Sequence, residues 1–224
     1  MIYTSMLLML MMITSCTSIW PKQSNYILNP GLLAEFMDYN ESLKSERPDL
    51  LFENGKTVTN CLSYFKMALN NEVDQSNYNQ SIKSEYLNCE ALKILEGQLI
   101  GAAKDKNDLG KALSEKLDVS SFPSSIIKTV SNDIYTLAAL YPDATIFRQH
   151  ETIYETEDWI FRLEVVAVVK LNDNKKQDWI VWLSDESKSG DSRFYSTLVV
   201  YDPGKQKSYI ATPYPWDLKP LINQ

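Results

Sequence analysis

The hydrophobic pattern of the chain changes its period near Ala144, and this change limits the folds that the chain can adopt. From residue 159 to residue 171, apolar side chains stand at every second position, with several polar ones between them. A period of two is typical of a β-strand that buries one face. The connections between such stretches are short, and short connections join antiparallel strands. We predict strands at residues 146–154, 159–171, 177–183, 193–201 and 207–212.

The preceding part of the chain instead repeats its apolar side chains about every 3.6 positions, which is typical of amphipathic helices. We predict helices at residues 32–45, 57–69, 81–99, 108–117 and 123–140. Thr57 or Thr59 is expected to cap the second of these helices, and Ser81 the third. The clearest apolar stripe, in the third helix, consists of Ile82, Tyr86, Cys89, Leu92, Leu95 and Leu99.

These two patterns predict a single α+β domain over residues 31–224. Residues 31–142 form its helical part, and residues 143–224 form an antiparallel meander of about four to five strands. We expect the helices to pack on the apolar face of the meander.

An uncharged apolar segment of eleven residues, Met6–Cys16, lies near the start of the chain. It is too short for a membrane-spanning helix, which needs about 20 residues, but fits the apolar core of a secretory signal, which has about 7–15. Its last four residues, Ile13-Thr14-Ser15-Cys16, resemble the lipobox of bacterial lipoproteins. This resemblance implies a signal peptide over residues 1–15 and, after cleavage, a lipid on Cys16. An ordinary buried N-terminal helix is the alternative.

A lipoprotein of this kind is held at the cell envelope by its lipid. Residues 16–30 have no periodic apolar pattern and are predicted to be the lipidated cysteine and a polar tether. Thr17, which stands where an Asp would be needed for retention, resembles the arrangement that sends lipoproteins to the outer membrane of Gram-negative bacteria. We therefore expect attachment to the periplasmic face of the outer membrane. The net charge of −7 argues against nucleic acid as a partner, because an acidic protein repels phosphates.

Lipidation of Cys16 leaves two cysteines, Cys61 and Cys89, in an oxidising compartment where disulfides persist. Both lie 14 residues from Gln75, the centre of the predicted turn between two helices. Residues equidistant from the turn of an antiparallel helical hairpin lie level with each other. The spacing therefore predicts a Cys61–Cys89 disulfide in a helical hairpin, and two separate buried thiols are the alternative.

The residues that support common catalytic and metal-binding chemistry are few. His150 is the single histidine, and on the predicted strand its neighbours Gln149 and Glu151 point to the opposite face, where they do not orient the imidazole. One histidine does not make a zinc site of the usual nitrogen and sulfur type. The chain contains no Gly-x-Ser-x-Gly elbow, no phosphate-binding glycine loop and no dinucleotide fingerprint. We therefore predict no cofactor and no metal site.

Aromatic side chains are concentrated in the predicted strands. Trp179 is predicted to face the core, whereas Trp182 points to the opposite side of its strand. Aromatic residues on a sheet face that no helix covers, next to acidic loop residues, suit a protein partner. The alternative is that a second layer, such as the tail that carries Trp216, covers that face. The residues predicted to bind a partner are Trp182, Asp185, Glu186, Asp191, Arg193, Tyr195 and Tyr201.

We expect a lipid-anchored periplasmic protein that binds another protein and has no catalytic activity. An immunity-type inhibitor, which protects a bacterium from a toxin that attacks its envelope, is a specific form of this expectation. The alternatives are an envelope hydrolase that uses His150 or a pair of carboxylates, and a carrier of a small apolar ligand.

Overall fold

The computed structural model describes residues 25–102, 108–131, 133–204 and 206–214, so the predicted signal peptide and Cys16 lie outside the described residues. The helices are α1 (Pro30–Met37), α2 (Tyr39–Ser42), α3 (Cys61–Ala68), α4 (Asn77–Ile82), α5 (Leu87–Ile94), α6 (Leu109–Lys116) and α7 (Leu137–Leu140), with 3-10 helices at Lys83–Tyr86 and Ser125–Thr129. The strands are β1 (Tyr26–Ile27), β2 (Leu50–Leu51), β3 (Thr57–Val58), β4 (Thr145–Phe147), β5 (Glu151–Glu155), β6 (Trp159–Val169), β7 (Asp178–Ser187), β8 (Arg193–Val200) and β9 (Ala211–Pro213).

Strands β4 to β9 form one sheet in which each strand is antiparallel to the next along the chain. β5 pairs with the first half of β6, and β1 pairs with its second half, where Tyr26 lies opposite Val168. The predicted α+β class and antiparallel sheet are confirmed, but the sheet has seven strands rather than four or five. Because β1 is part of it, residues 26–30 of the predicted tether belong to the folded domain.

Residues 146–154, which the sequence predicts as one strand, form two. β4 ends at Phe147, the chain bends at residues 148–150, and β5 begins at Glu151. The N–H of Arg148 donates to the C=O of Glu151 at 2.8 Å and closes this turn. The turn contains none of the Gly, Pro, Asn or Asp residues that usually mark one, so the local sequence does not reveal it.

Both faces of the sheet carry a hydrophobic core, so the domain has three layers. The first face, which bears Ile180 and Val199, packs against α1, α3 and α5. The second face, which bears Val181 and Leu198, packs against α6, α7 and the 3-10 helix Ser125–Thr129. The prediction that the helices cover one apolar face is therefore incomplete.

The central strand β6 explains why both faces are covered. Its residues 165–169 are consecutive apolar side chains, and all five are buried. An uninterrupted apolar run is the pattern of a strand that is buried on both faces. The pairing with β7 shifts its register between Val165 and Ala167, so an additional residue is accommodated within this run.

The predicted disulfide is confirmed, whereas the predicted helical hairpin is not seen in that form. Cys61, the first residue of α3, is bonded to Cys89 in α5, and both side chains are fully buried. α3 is capped by Asn60, whose side chain accepts from the N–H of Ser63, rather than by Thr57 or Thr59. The predicted third helix is divided into α4, a 3-10 helix and α5. Leu99, the last residue of its predicted apolar stripe, lies beyond the end of α5 and is 76% exposed.

Gly110, in the first turn of α6, lies against the β4–β5 turn. A Cβ atom at this position would come within 2.1 Å of the carbonyl oxygens of Arg148 and Glu151. We expect Gly110→Ala to lower the free energy of unfolding by about 1–3 kcal/mol, because helix and turn must move apart. Urea denaturation measures this loss. Gly204→Ala is the matched control, since no atom lies within 4 Å of its added Cβ, and equal losses in the two variants would contradict the explanation.

Candidate functional site

The register of β7 and β8 decides which aromatic residue shares a face with Trp182. Trp182 lies opposite Thr197, and Ser184 lies opposite Tyr195. Residues directly opposite each other on neighbouring strands point to the same side of the sheet. Tyr195 therefore shares the first face with Trp182, whereas Phe194 packs against the core of the second face.

The aromatic part of the first face is covered by the amino-terminal helices. Trp182 and Tyr201 are half-buried and pack against the core that α1, α3 and α5 form with the sheet. Trp179 is buried, as predicted, and lies on the second face. Its ring packs edge to face against the ring of Tyr209, and the two ring centroids are 5.4 Å apart. The structure thus supplies a second layer over the predicted aromatic surface. Trp216, the residue that the sequence suggested for this layer, lies outside the described residues.

Asp185, predicted as an exposed binding residue, is a buried structural acceptor on the second face. Its side chain is 2% exposed and accepts hydrogen bonds from the backbone N–H and the hydroxyl of Ser125, at 2.6 and 2.7 Å. The indole Nε1 of Trp159 also donates to it. These bonds attach the 3-10 helix Ser125–Thr129 to the end of β7, so Asp185 is not available to a partner. Asp191, in contrast, lies in the exposed β7–β8 loop.

The first face becomes polar beyond Trp182, towards the end of β7. Glu186 accepts a hydrogen bond from the hydroxyl of Ser184 and lies beside Tyr195. Burial and then the negative charge of Glu186 raise the pKa of Tyr195 to about 12, so this phenol keeps its proton at physiological pH. We call this end of the first face its polar half. It consists of the apolar residue Ile160 and six polar residues: Glu155, Arg162, Ser184, Glu186, Arg193 and Tyr195.

Charges of both signs surround this polar half. Lys188 Nζ lies 2.6 Å from Glu155 Oε1, and this contact lowers the pKa of the Glu155 carboxyl. Glu151 lies between two arginines: Arg148 Nη1 is 2.8 Å from its Oε1, and Arg162 Nε is 3.6 Å from its Oε2. Mixed charges beside partly exposed aromatic and apolar residues are typical of a protein interface rim.

His150 lies in the bend between β4 and β5 rather than on a strand. Its Nε2 is 3.9 Å from Glu164 Oε1, and the same carboxylate oxygen accepts a hydrogen bond from Asn29 Nδ2 at 2.9 Å. The backbone C=O of His150 accepts from the N–H of Val165 at 2.8 Å. These contacts connect the turn to β6 and to the segment that leads into α1, so a structural role accounts for all of them.

A buried ionic cluster, which the sequence analysis did not find, lies in the helical layer of the first face. The Tyr64 hydroxyl donates to Glu90 Oε1 at 2.5 Å, and Lys83 forms an ion pair with the same oxygen and donates to the Tyr64 hydroxyl at 2.7 Å. The side chain of Glu90 is 3% exposed and that of Lys83 is 14% exposed. Burial and then the charge of Glu90 hold the pKa of Tyr64 well above its ordinary value. No local spacing marks these three residues, because α3, a 3-10 helix and α5 each contribute one.

Within the described ranges, no group of three or more His, Cys, Asp and Glu residues is arranged to hold a metal ion. An open polar cavity of about 550 Å³ lies beside the 3-10 helix Ser125–Thr129. It is lined by Asp118, Ser120, Ile127, Val130, Ser131 and Tyr135.

The part of the chain that the structure describes contains no helix with the length and apolar character needed to cross a membrane. Comparison of the chain with protein-family models, with curated proteins and with solved structures finds no match.

Proposed function

We propose that this protein is a lipid-anchored component of the cell envelope that acts by binding another protein and has no catalytic role. The observation that supports the envelope location in this proposal is the buried disulfide between Cys61 and Cys89. Disulfides persist in oxidising compartments and are rare in the cytosol, so the bond supports export. It does so independently of the lipobox resemblance at Cys16, which lies in a different part of the chain.

We assign the binding surface to the polar half of the first face. The amino-terminal helices cover Trp182 and Tyr201, and Asp185 is buried in a structural contact. Four of the residues predicted to bind a partner remain: Glu186, Arg193 and Tyr195, which share one side of the sheet, and Asp191, which lies in the exposed β7–β8 loop. An immunity-type inhibitor of an envelope-targeting toxin is the specific function that we propose for this surface.

The lipid anchor is tested by the intact mass of full-length protein extracted from membranes of its native host. We expect the mass of residues 16–224 plus the lipid, because the lipobox resemblance implies cleavage before Cys16 and a lipid on the new amino-terminal cysteine. In Cys16→Ser we expect the lipid mass to disappear and the protein to leave the membrane fraction. A wild-type mass that includes residues 1–15 would contradict the proposed export.

The binding surface is tested by co-purification of partner proteins with membrane-extracted wild type and variants. We expect Arg193→Glu to lower the recovery of a stoichiometric partner roughly tenfold, which corresponds to about 1.4 kcal/mol of binding free energy. Lys111→Glu is the matched control: it makes the same charge change at a half-exposed side chain of α6, on the other side of the sheet. Equal recovery with both variants would contradict the assignment of the surface. Absence of a partner for the wild type would contradict the proposed function.

A further inference from the structure

The two outer edges of the large sheet differ in how they are covered. At the β9 edge, Tyr209 N–H donates to Lys116 C=O at 2.8 Å, and Asp118 N–H donates to Tyr209 C=O at 2.9 Å. The N–H of Ala211 donates to the hydroxyl of Ser121 at 3.1 Å. The chain segment after α6 therefore lies along this edge and pairs with the backbone of Tyr209 and with the N–H of Ala211.

The opposite edge, β4, has backbone groups that point away from the sheet. Thr145 N–H donates to Tyr141 C=O at 3.0 Å, whereas Arg148 N–H donates to Glu151 across the β4–β5 turn. Backbone groups of alternate residues point to opposite edges of a strand. The N–H and C=O of Phe147 and the C=O of Thr145 therefore point outward, where a further strand can pair with them.

Two large apolar side chains accompany these backbone groups. Ile146 is 53% exposed and Phe147 is 45% exposed. The register with β5 and β6 places Ile146 in line with Arg162 on the first face, and Phe147 in line with Leu163 on the second. Natural edge strands are often very short, or carry charges, proline or a covering segment, and each of these limits pairing with another chain. β4 is short, with three residues, but it contains no charged residue and no proline.

We propose that β4 is a docking edge that takes one extended segment of the partner protein as an additional antiparallel strand. The inference rests on the proposed function and specifies how the partner binds. Main-chain hydrogen bonds to Phe147 and Thr145 supply affinity, and alternate side chains of the added strand cover Ile146 and Phe147. Ile146 lies in the same cross-strand row as Arg162 and Tyr195, so the added strand also borders the polar half of the first face.

A second copy of this chain is not the occupant that we infer. Pairing of β4 with its own copy joins three residues from each chain. A stable specific interface buries about 800 Å² on each partner, far more than such a short strand pair provides. An extended segment of a larger partner obtains the remaining area from the polar half of the first face.

The test uses random linear peptides displayed on phage and selected against the wild-type exported protein. We expect selected peptides to alternate apolar and polar residues, to slow hydrogen exchange of the Phe147 amide, and to lose affinity roughly tenfold in Ile146→Lys and Phe147→Lys. Ile210→Lys is the matched control, because Ile210 is 54% exposed beside the other edge of the sheet. Urea denaturation of each variant verifies that it is folded.

Several outcomes would overturn the inference. Peptides that bind equally well to wild type and to the two β4 variants place the binding site elsewhere. A wild-type dimer that Phe147→Lys dissociates, measured by analytical ultracentrifugation, makes a second copy the occupant. A native partner whose recovery falls with Arg193→Glu but not with Phe147→Lys contradicts the docking edge and leaves the proposed function intact.

Discussion

Replacing Glu90 by Ala is expected to lower the free energy of unfolding by about 3–5 kcal/mol. Glu90 and Lys83 are largely buried and form an ion pair, and Tyr64 donates to the same carboxylate. Removal of the carboxylate leaves the ammonium group of Lys83 buried without a counter-charge, which costs far more than the pair itself contributes. Glu90→Gln keeps the volume and the hydrogen bond from Tyr64, so it isolates the effect of the charge.

A double-mutant cycle in urea, with Lys83→Met, Glu90→Leu and the double variant, measures this coupling. We expect the double variant to be more stable than the sum of the single losses predicts, because it leaves no unpaired buried charge. If the loss of stability in the double variant equals the sum of the two single losses, the buried ion pair does not couple the two residues. The matched control is the Lys44–Glu41 pair, whose side chains are 60% and 68% exposed. Its removal is expected to change the stability by less than about 1 kcal/mol.

The second large effect is expected from the disulfide. The double variant Cys61→Ala/Cys89→Ala should lose about 3–4 kcal/mol of free energy of unfolding. The disulfide joins residues that are 28 positions apart, and without this crosslink the unfolded chain gains conformational entropy. Both side chains are fully buried, so the alanines add a small cavity cost. Urea denaturation of the exported domain, with and without the substitutions, measures the difference.

Reduction distinguishes the crosslink from the packing of the two side chains. Dithiothreitol should lower the urea midpoint of the wild type towards that of the double-alanine variant and leave the variant unchanged. An unchanged wild-type midpoint after verified reduction would show that the crosslink does not stabilise the fold. The Cys61 and Cys89 sulfurs carry no exposed surface, so we expect complete reduction to require partial unfolding.

Local patterns were sufficient for the three longest strands, and the number of cysteines together with the expected compartment was sufficient for the disulfide pair. The alternation from Trp159 onward predicted β6, and similar stretches predicted most of β7 and β8, because the orientation of a strand side chain depends on its position alone. Cys61 and Cys89 paired as predicted, although the helices that carry them are shorter and differently capped than expected. The prediction of this pair depended mainly on the expected oxidising compartment and on the presence of two cysteines besides Cys16. The predicted helical hairpin was less important for it.

Long-range contacts decided the candidate site. Period alone assigned Trp179 and Trp182 to opposite faces of the predicted strand 177–183 and left Asp185 in the loop after it. It did not indicate that Ser125 would bind the carboxylate of Asp185 or that α5 would lie over the first face. The apolar run 165–169 has the pattern of a strand that is buried on both faces, but we predicted helices on one face only. Which helices cover the two faces depended on contacts between distant segments.

The sequence by itself determined the fold class, the main strands, the disulfide partners and the resemblance to a lipoprotein signal, since each depends on residues close together or on a short list of candidates. Only the tertiary structure decided that helices cover both faces, that Tyr64, Lys83 and Glu90 meet, and that no strand among the described residues pairs with the outer side of β4. These features depend on register and packing between segments many residues apart, and such contacts leave no periodic trace in the local sequence.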